Sequence, residues 1–143
     1  MGEPDQINLR SVYDASHHFM GVLSPDGRLL DANKTALQAA GLTMAEVQGR
    51  PFWETPWWAH DPDEQARLKA GIQRAARGEC FEMETTHTTA DGRVLVVSFS
   101  IRPLLDEQGR VVALLPEGRD ISDLAREREQ LRLSEMRFRS LVE

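Results

Sequence analysis

The spacing of apolar positions changes several times along the chain, and each change marks an element. Leu9, Val12 and Tyr13 stand at helical spacing and predict a short helix over Leu9 to Ala15. Phe19 to Leu23 and Leu29 to Ala32 read as strands either side of Ser24-Pro25-Asp26-Gly27, where Pro presets φ and Gly supplies the positive φ of a tight turn. Asn33 is placed to cap a helix from Lys34 to Ala40 that Gly41 ends, and Thr43 with Glu46 forms a capping box for another. Asp61-Pro62 opens a longer helix to about Arg77, with Leu68, Ile72, Ala75 and Ala76 as its buried stripe and Gly71 as a weak point. Phe81 to Thr85 alternates apolar and acidic, a half-buried strand. After the Ala90-Asp91-Gly92-Arg93 turn, Val97, Phe99 and Ile101 share one face of a long strand from Val94 to Leu104. A last strand runs from Val111 to Arg119, and Leu124 to Glu143 follows without Gly or Pro as a helix, capped by Ser122 or Asp123.

Two strands, then helices, then three strands is a grouped order. It predicts an α+β fold, an antiparallel sheet with short helices over one face and an amphipathic helix at the C-terminal end. A chain of 143 residues allows one domain and an appendage, and 41% apolar residues are enough for a core. We divide it into a leader, 1–8, a domain, 9–121, and a helix, 122–143. No apolar run reaches the roughly 20 residues that span a bilayer and no signal peptide opens the chain, so no membrane contact is expected. A net charge of −6 argues against nucleic-acid binding, and a single cysteine, Cys80, fits a reducing compartment; a cytoplasmic location is the expectation.

Asp26-Gly27-Arg28 followed by Asn33, Gly41-Leu42 before Glu46-Val47-Gln48-Gly49-Arg50-Pro51, Asp91-Gly92-Arg93 before the long strand, and Gly118-Arg119-Asp120-Ile121-Ser122 at the end resemble, in order and spacing, the motifs of a PAS domain. Ser122 stands where the family's closing Asp-Ile-Thr triplet has Thr. The resemblance covers roughly residues 9 to 123. It implies a five-stranded antiparallel sheet curled around a small-molecule pocket, in a sensory or dimerisation module of a bacterial signalling protein, a histidine kinase first of all. The alternatives are a pairing module that binds no ligand, a flavin-binding module of the oxidoreductase kind, or the PAS domain of a diguanylate cyclase or transcription regulator.

The inward residues expected to line such a pocket are Phe81, Met83, Val97, Phe99, Ile101, Leu114 and Pro116 from the sheet, faced by Leu37, Trp53, Leu68 and Ile72. The same residues would also make a packed core with no ligand. Three tryptophans in the irregular stretch Gly49 to Ala59 favour a site or an interface. Trp53 is expected inside, with Trp57 and Trp58 equally open to surface or dimer contacts. The family's photoreactive flavin members carry Asn-Cys-Arg-Phe after the glycine that here is Gly49; Arg50-Pro51-Phe52-Trp53 stands there instead, which argues against a covalent flavin adduct. No histidine lies between Asp61 and Arg77, where haem-binding members place one, which argues against haem. A small apolar or flavin-like ligand held without a covalent bond stays open, and the cofactor is otherwise unknown.

The signal relay is read at Gly118, Asp120, Ile121 and Ser122, with Gly118 giving backbone freedom; the resemblance implies that Asp120 fixes the junction by an ion pair, with Arg119 as one candidate partner, or by a backbone hydrogen bond. Leu124, Leu131 and Phe138 repeat every seven residues and Leu141 follows, a partial seam for a parallel homodimer. The alternative is a helix folded back on its own sheet. Leu9-Arg10-Ser11-Val12-Tyr13-Asp14 and Phe138-Arg139-Ser140-Leu141-Val142-Glu143 share one pattern, as if a second module began at the end of the chain, so downstream signalling domains of the same chain are expected partners. His17, His18, His60, His87 and Cys80 show no zinc-type spacing, and no metal is expected. No phosphate-cradling or nucleophile motif appears, so the segment is not expected to be an enzyme. Residues 122–143 contain no histidine, so phosphorylation in a kinase parent would fall downstream.

Overall fold

A computed structural model describes residues 7–142, and most of the expected leader lies outside them. Helix α1 (Leu9–Ala15) precedes strands β1 (Phe19–Leu23) and β2 (Leu29–Ala32). Helices α2 (Lys34–Ala40), α3 (Met44–Val47) and α4 (Pro62–Ala76) follow, with a 3-10 turn at Phe52–Glu54. Strands β3 (Phe81–Thr88), β4 (Val94–Leu105) and β5 (Val111–Asp120) complete the sheet, and α5 (Ser122–Val142) leaves it. The strands are antiparallel in the order β2-β1-β5-β4-β3, so the last strand in sequence is the middle strand in space.

Local chemistry accounts for most of the boundaries. Asn33 Oδ1 accepts from the Ala36 N–H, and Gly41 closes α2 at φ 67°, in the left-handed region. The Thr43–Glu46 capping box opens α3. Asp61 caps α4 by accepting from the N–H groups of Asp63 and Glu64. Strand β3 outruns its expected end at Thr85, because the alternation continues through a buried His87.

The core lies between the inner face of the sheet and the α2–α4 segment. Trp58, Leu23, Leu29, Leu68, Ile101 and Leu114 are fully buried there. Gly71 is the point where α4 meets β3, since a Cβ there would stand 2.4 Å from the Phe81 ring. What reads in sequence as a weak point is a close approach.

Candidate functional site

The inner face of the sheet closes on a cavity of about 30 Å³. β1 contributes Phe19, Met20 and Gly21, and β2 with α2 contributes Leu29, Ala32 and Ala36. Phe52 and Trp57 cover it, and His87, Phe99, Pro116 and Gly118 reach it from β3, β4 and β5. Of the residues expected to line a pocket, Phe99 and Pro116 do so. Leu68, Ile72, Met83, Val97, Ile101 and Leu114 are instead buried packing, while Leu37, Trp53 and Phe81 are half-buried against the core. Strand alternation tells which side chains point inward, but not where along that face the packing leaves a gap.

Expectation and structure part most clearly at the tryptophans. Trp58 is fully buried and Trp57 is 8% exposed, with Trp57 Nε1 donating to the Ala36 carbonyl at 3.1 Å. Trp53, expected inside, is half-buried with Lys69 over its ring. Thr55 sets this arrangement: its hydroxyl donates to the Phe52 carbonyl at 2.6 Å inside the core, and its own carbonyl accepts from Trp58 and Ala59. The turn so formed sends the second and third indoles inward.

Phe99, Trp58 and His87 stack edge to face, with centroids 4.9 Å apart for Trp58–Phe99 and 5.0 Å for Trp58–His87. Burial pushes the His87 imidazole down to about 4, so it is neutral at pH 7. Trp58 Nε1, Thr85 Oγ1 and His87 Nε2 are buried and have no hydrogen-bond partner among the described residues. A cavity of this size is an order of magnitude below the roughly 300–1,000 Å³ of pockets for drug-sized ligands. Neither flavin nor haem fits this packing, so the flavin-like ligand left open by the sequence is not accommodated by it.

β5 carries the cavity wall to the exit helix. Gly118 does not supply freedom at this point. It pairs with Phe19 and Phe99 in the middle of the sheet, and a Cβ there would stand 3.0 Å from Val97 Cγ1. One residue, Ile121, separates β5 from α5; it is buried, and its N–H donates to the Val96 carbonyl at 2.8 Å. Ser122 Oγ accepts from the Val96 N–H at 3.0 Å, so one residue of β4 holds both sides of the junction. Neither Ser122 nor Asp123 is the cap. Ile121 holds the cap position, its carbonyl accepting from the Ala125 N–H, and the side chain one residue before it satisfies the helix start: Asp120 Oδ1 accepts from the Ser122 N–H at 2.9 Å and the Ser122 hydroxyl at 2.6 Å. Among the described residues Asp120 makes no ion pair, which removes Arg119 as its partner.

No described residue of α5 is buried, and the helix does not fold back over the sheet. Leu124 is 47% exposed and Leu141 85%, with Leu131 and Phe138 between. Beyond its first turn it meets the sheet through Arg128, which donates to Glu84 on β3 at 2.8 Å. No described helix is long and apolar enough to cross a membrane, and no described group of His, Cys, Asp or Glu is gathered as for a metal ion.

Two residues matter more than sequence reasoning assigned them. Asn33, read as a cap, is fully buried and makes four bonds. Its Nδ2 donates to the carbonyls of Tyr13 and His18, and its Oδ1 accepts from the N–H groups of Met20 and Ala36. It thereby joins α1, β1 and α2. His87, which has no zinc-type spacing to mark it in the sequence, is a buried core residue, and its place two residues beyond Thr85 on the inward register of β3 is the signal for that.

Residues 13–126 match the model of a family described as the PAS fold. Over 136 residues the chain is 35% identical to the sensor histidine kinase TmoS of Ectopseudomonas mendocina, an alignment covering 94% of this chain and 14% of that protein. It is 32% identical over 138 residues to hybrid signal transduction histidine kinase D of Dictyostelium discoideum, covering 95% and 9%. It therefore spans a small part of either relative. The PAS domain of BvgS from Bordetella pertussis superposes with a TM-score of 0.64 at 24% identity, over 88% of this chain and 95% of that one. The five-stranded antiparallel sheet, the helices packed on its inner face and the matched residues agree: the chain belongs to the PAS family.

Proposed function

We propose that this chain is a sensory and pairing module of a signal-transduction protein of the histidine-kinase kind, working in the cytoplasm. The domain would be residues 9–121 and the output element residues 122–143, which run on to downstream domains of the same parent. The segment itself would carry no catalysis. One observation carries the reading: β5 lines the cavity with Pro116 and Gly118 and passes, two residues later, into an anchored junction with a solvent-exposed helix. A shift of the central strand on ligand binding is thereby carried to α5, and the ligand acts through its different affinity for the two sheet positions. Leu124, Leu131, Phe138 and Leu141 would meet their counterparts in a second copy, since their exposure leaves them unpartnered within one chain.

The experiment is deletion of residues 122–143. The expected result is a fall in solution mass from dimer to monomer by light scattering, with the cooperative unfolding of the remainder kept. A shortened chain that still dimerises would remove the exit helix from the pairing role. The second reading, a module that pairs subunits and senses nothing, is favoured by the smallness of the cavity. It predicts that no small molecule alters unfolding or spectra.

A further inference from the structure

We propose that a second copy of this chain fills the corner between α5 and the outer face of the sheet, with Arg119 of each copy facing Glu82 of the other. The inference rests on the pairing reading above and names the surface that the second copy covers. Its first support is a hollow of about 180 Å³ on the outer face, lined by the side chains of His18, Glu82, Ser98, Ser100, Glu117 and Arg119. Glu82 stands opposite Ser100 and Arg119 opposite Ser98, so the two charges flank β4 across a floor of two small hydroxyl residues. Other charged groups at this face are paired within the chain, His18 with Glu117 at 2.7 Å and Glu84 with Arg128 at 2.8 Å. Glu82 and Arg119 make no ion pair among the described residues, and both are exposed. A cation and an anion left free in this way in a single hollow make the face complementary to itself. An isologous two-fold contact uses that property, since one surface meets its own copy and each unlike pair occurs twice.

The second support is the direction of the exit helix. Arg128 reaches Glu84, whose cross-strand neighbour Ser98 belongs to the floor of the hollow. Leu124 and Leu131, four residues before Arg128 and three after it, lie on the same side of α5. They are 47% and 61% exposed. The apolar seam is therefore turned to the outer face, and a second copy that covers it comes up against the hollow without any movement of the chain. Exposed charge pairs contribute little by themselves. Arg119 and Glu82 accordingly set the register of the pair while the seam supplies the apolar contact, so the chain shortened by residues 122–143 is still expected to be monomeric.

Charge reversal at the two positions is the test, read as the dimer dissociation constant of the full chain by sedimentation at low salt. Arg119→Glu and Glu82→Arg each set like charges together twice per dimer, and each should weaken dimerisation by about tenfold. Mixed in equal amounts, the two variants should recover the affinity of the unaltered chain, because every contact between them joins unlike charges; no effect within one chain produces that recovery. An unchanged unfolding temperature shows that each exposed substitution keeps the fold. Variants that dimerise like the unaltered chain overturn the inference, and a monomer on deletion of residues 122–143 then leaves pairing through α5 standing without it. Weakened variants that do not recover on mixing overturn the contact between Arg119 and Glu82. A full chain that is monomeric at every concentration removes the pairing reading and this inference with it.

Discussion

The helices at the two ends of the described chain share a sequence pattern and have opposite fates. Leu9-Arg10-Ser11-Val12-Tyr13-Asp14 in α1 is fastened to the domain. Arg10 reaches Asp14 and Asp31, the Tyr13 hydroxyl donates to the Met20 carbonyl, and the Tyr13 carbonyl accepts from Asn33. The matching positions from Phe138 to Val142 in α5 stand in solvent, with Leu141 and Val142 among the most exposed apolar residues. Pattern alone therefore made both segments helical. What fixed the first was a receptor built by other parts of the chain, Asn33 above all. The second has no such receptor within the described residues, which is what leaves it available to another copy or to a following module.

Removing the receptor should have the largest effect. Asn33→Ala deletes four buried hydrogen bonds and should lower stability by about 4 kcal/mol. Urea unfolding monitored by fluorescence would read this, together with increased exchange of the α1 amides. A loss below about 1 kcal/mol would mean that α1 is held by something else.

Acid should act on the docked body and spare the exit helix. His87 has its folded value lowered from 6.5 to about 4, so the unfolded chain binds the proton first as pH falls. Stability from this group is complete above pH 6.5 and is lost between 6.5 and 4, by roughly 3 kcal/mol at about 1.4 kcal/mol per pH unit. Unfolding free energies measured across that window should show the slope, and His87→Leu should remove it. An unchanged slope in the variant would assign the acid response to the carboxylates instead.

The smallest expected effect is at the junction that separates the two regimes. Asp120→Ala removes the exposed side chain that satisfies the start of α5 and should cost about 1 kcal/mol. Its main result should lie elsewhere: faster amide exchange in the first turn of α5, with the rest of the sheet unaltered. Global unfolding would make the residue a determinant of the fold instead of the joint.

Much of this was legible from residues alone. Caps at Asn33, Thr43 and Asp61, the turns at Gly27 and Gly92, and the two-residue alternation of β3 and β4 are local chemistry, and the elements they mark formed there. The lining of the cavity was not legible in the same way. Val97 and Ile101 point inward as their spacing requires, yet they are filled around, while Phe19, Met20 and Gly21 from the other side of the sheet reach the gap. The tryptophans show the same limit, because Trp53, Trp57 and Trp58 lie in an aperiodic stretch where spacing carries no information on direction.

The sequence by itself determined the elements and their order. Those follow from hydrogen bonds and side-chain periodicity over a few neighbours. Only the tertiary structure decided that β5 is the central strand, that Trp58 and His87 share the core, and that Val96 clamps the exit of the chain. Each of those pairs residues tens of positions apart, and the free energy of such a contact depends on how the whole interior packs, which no local pattern encodes.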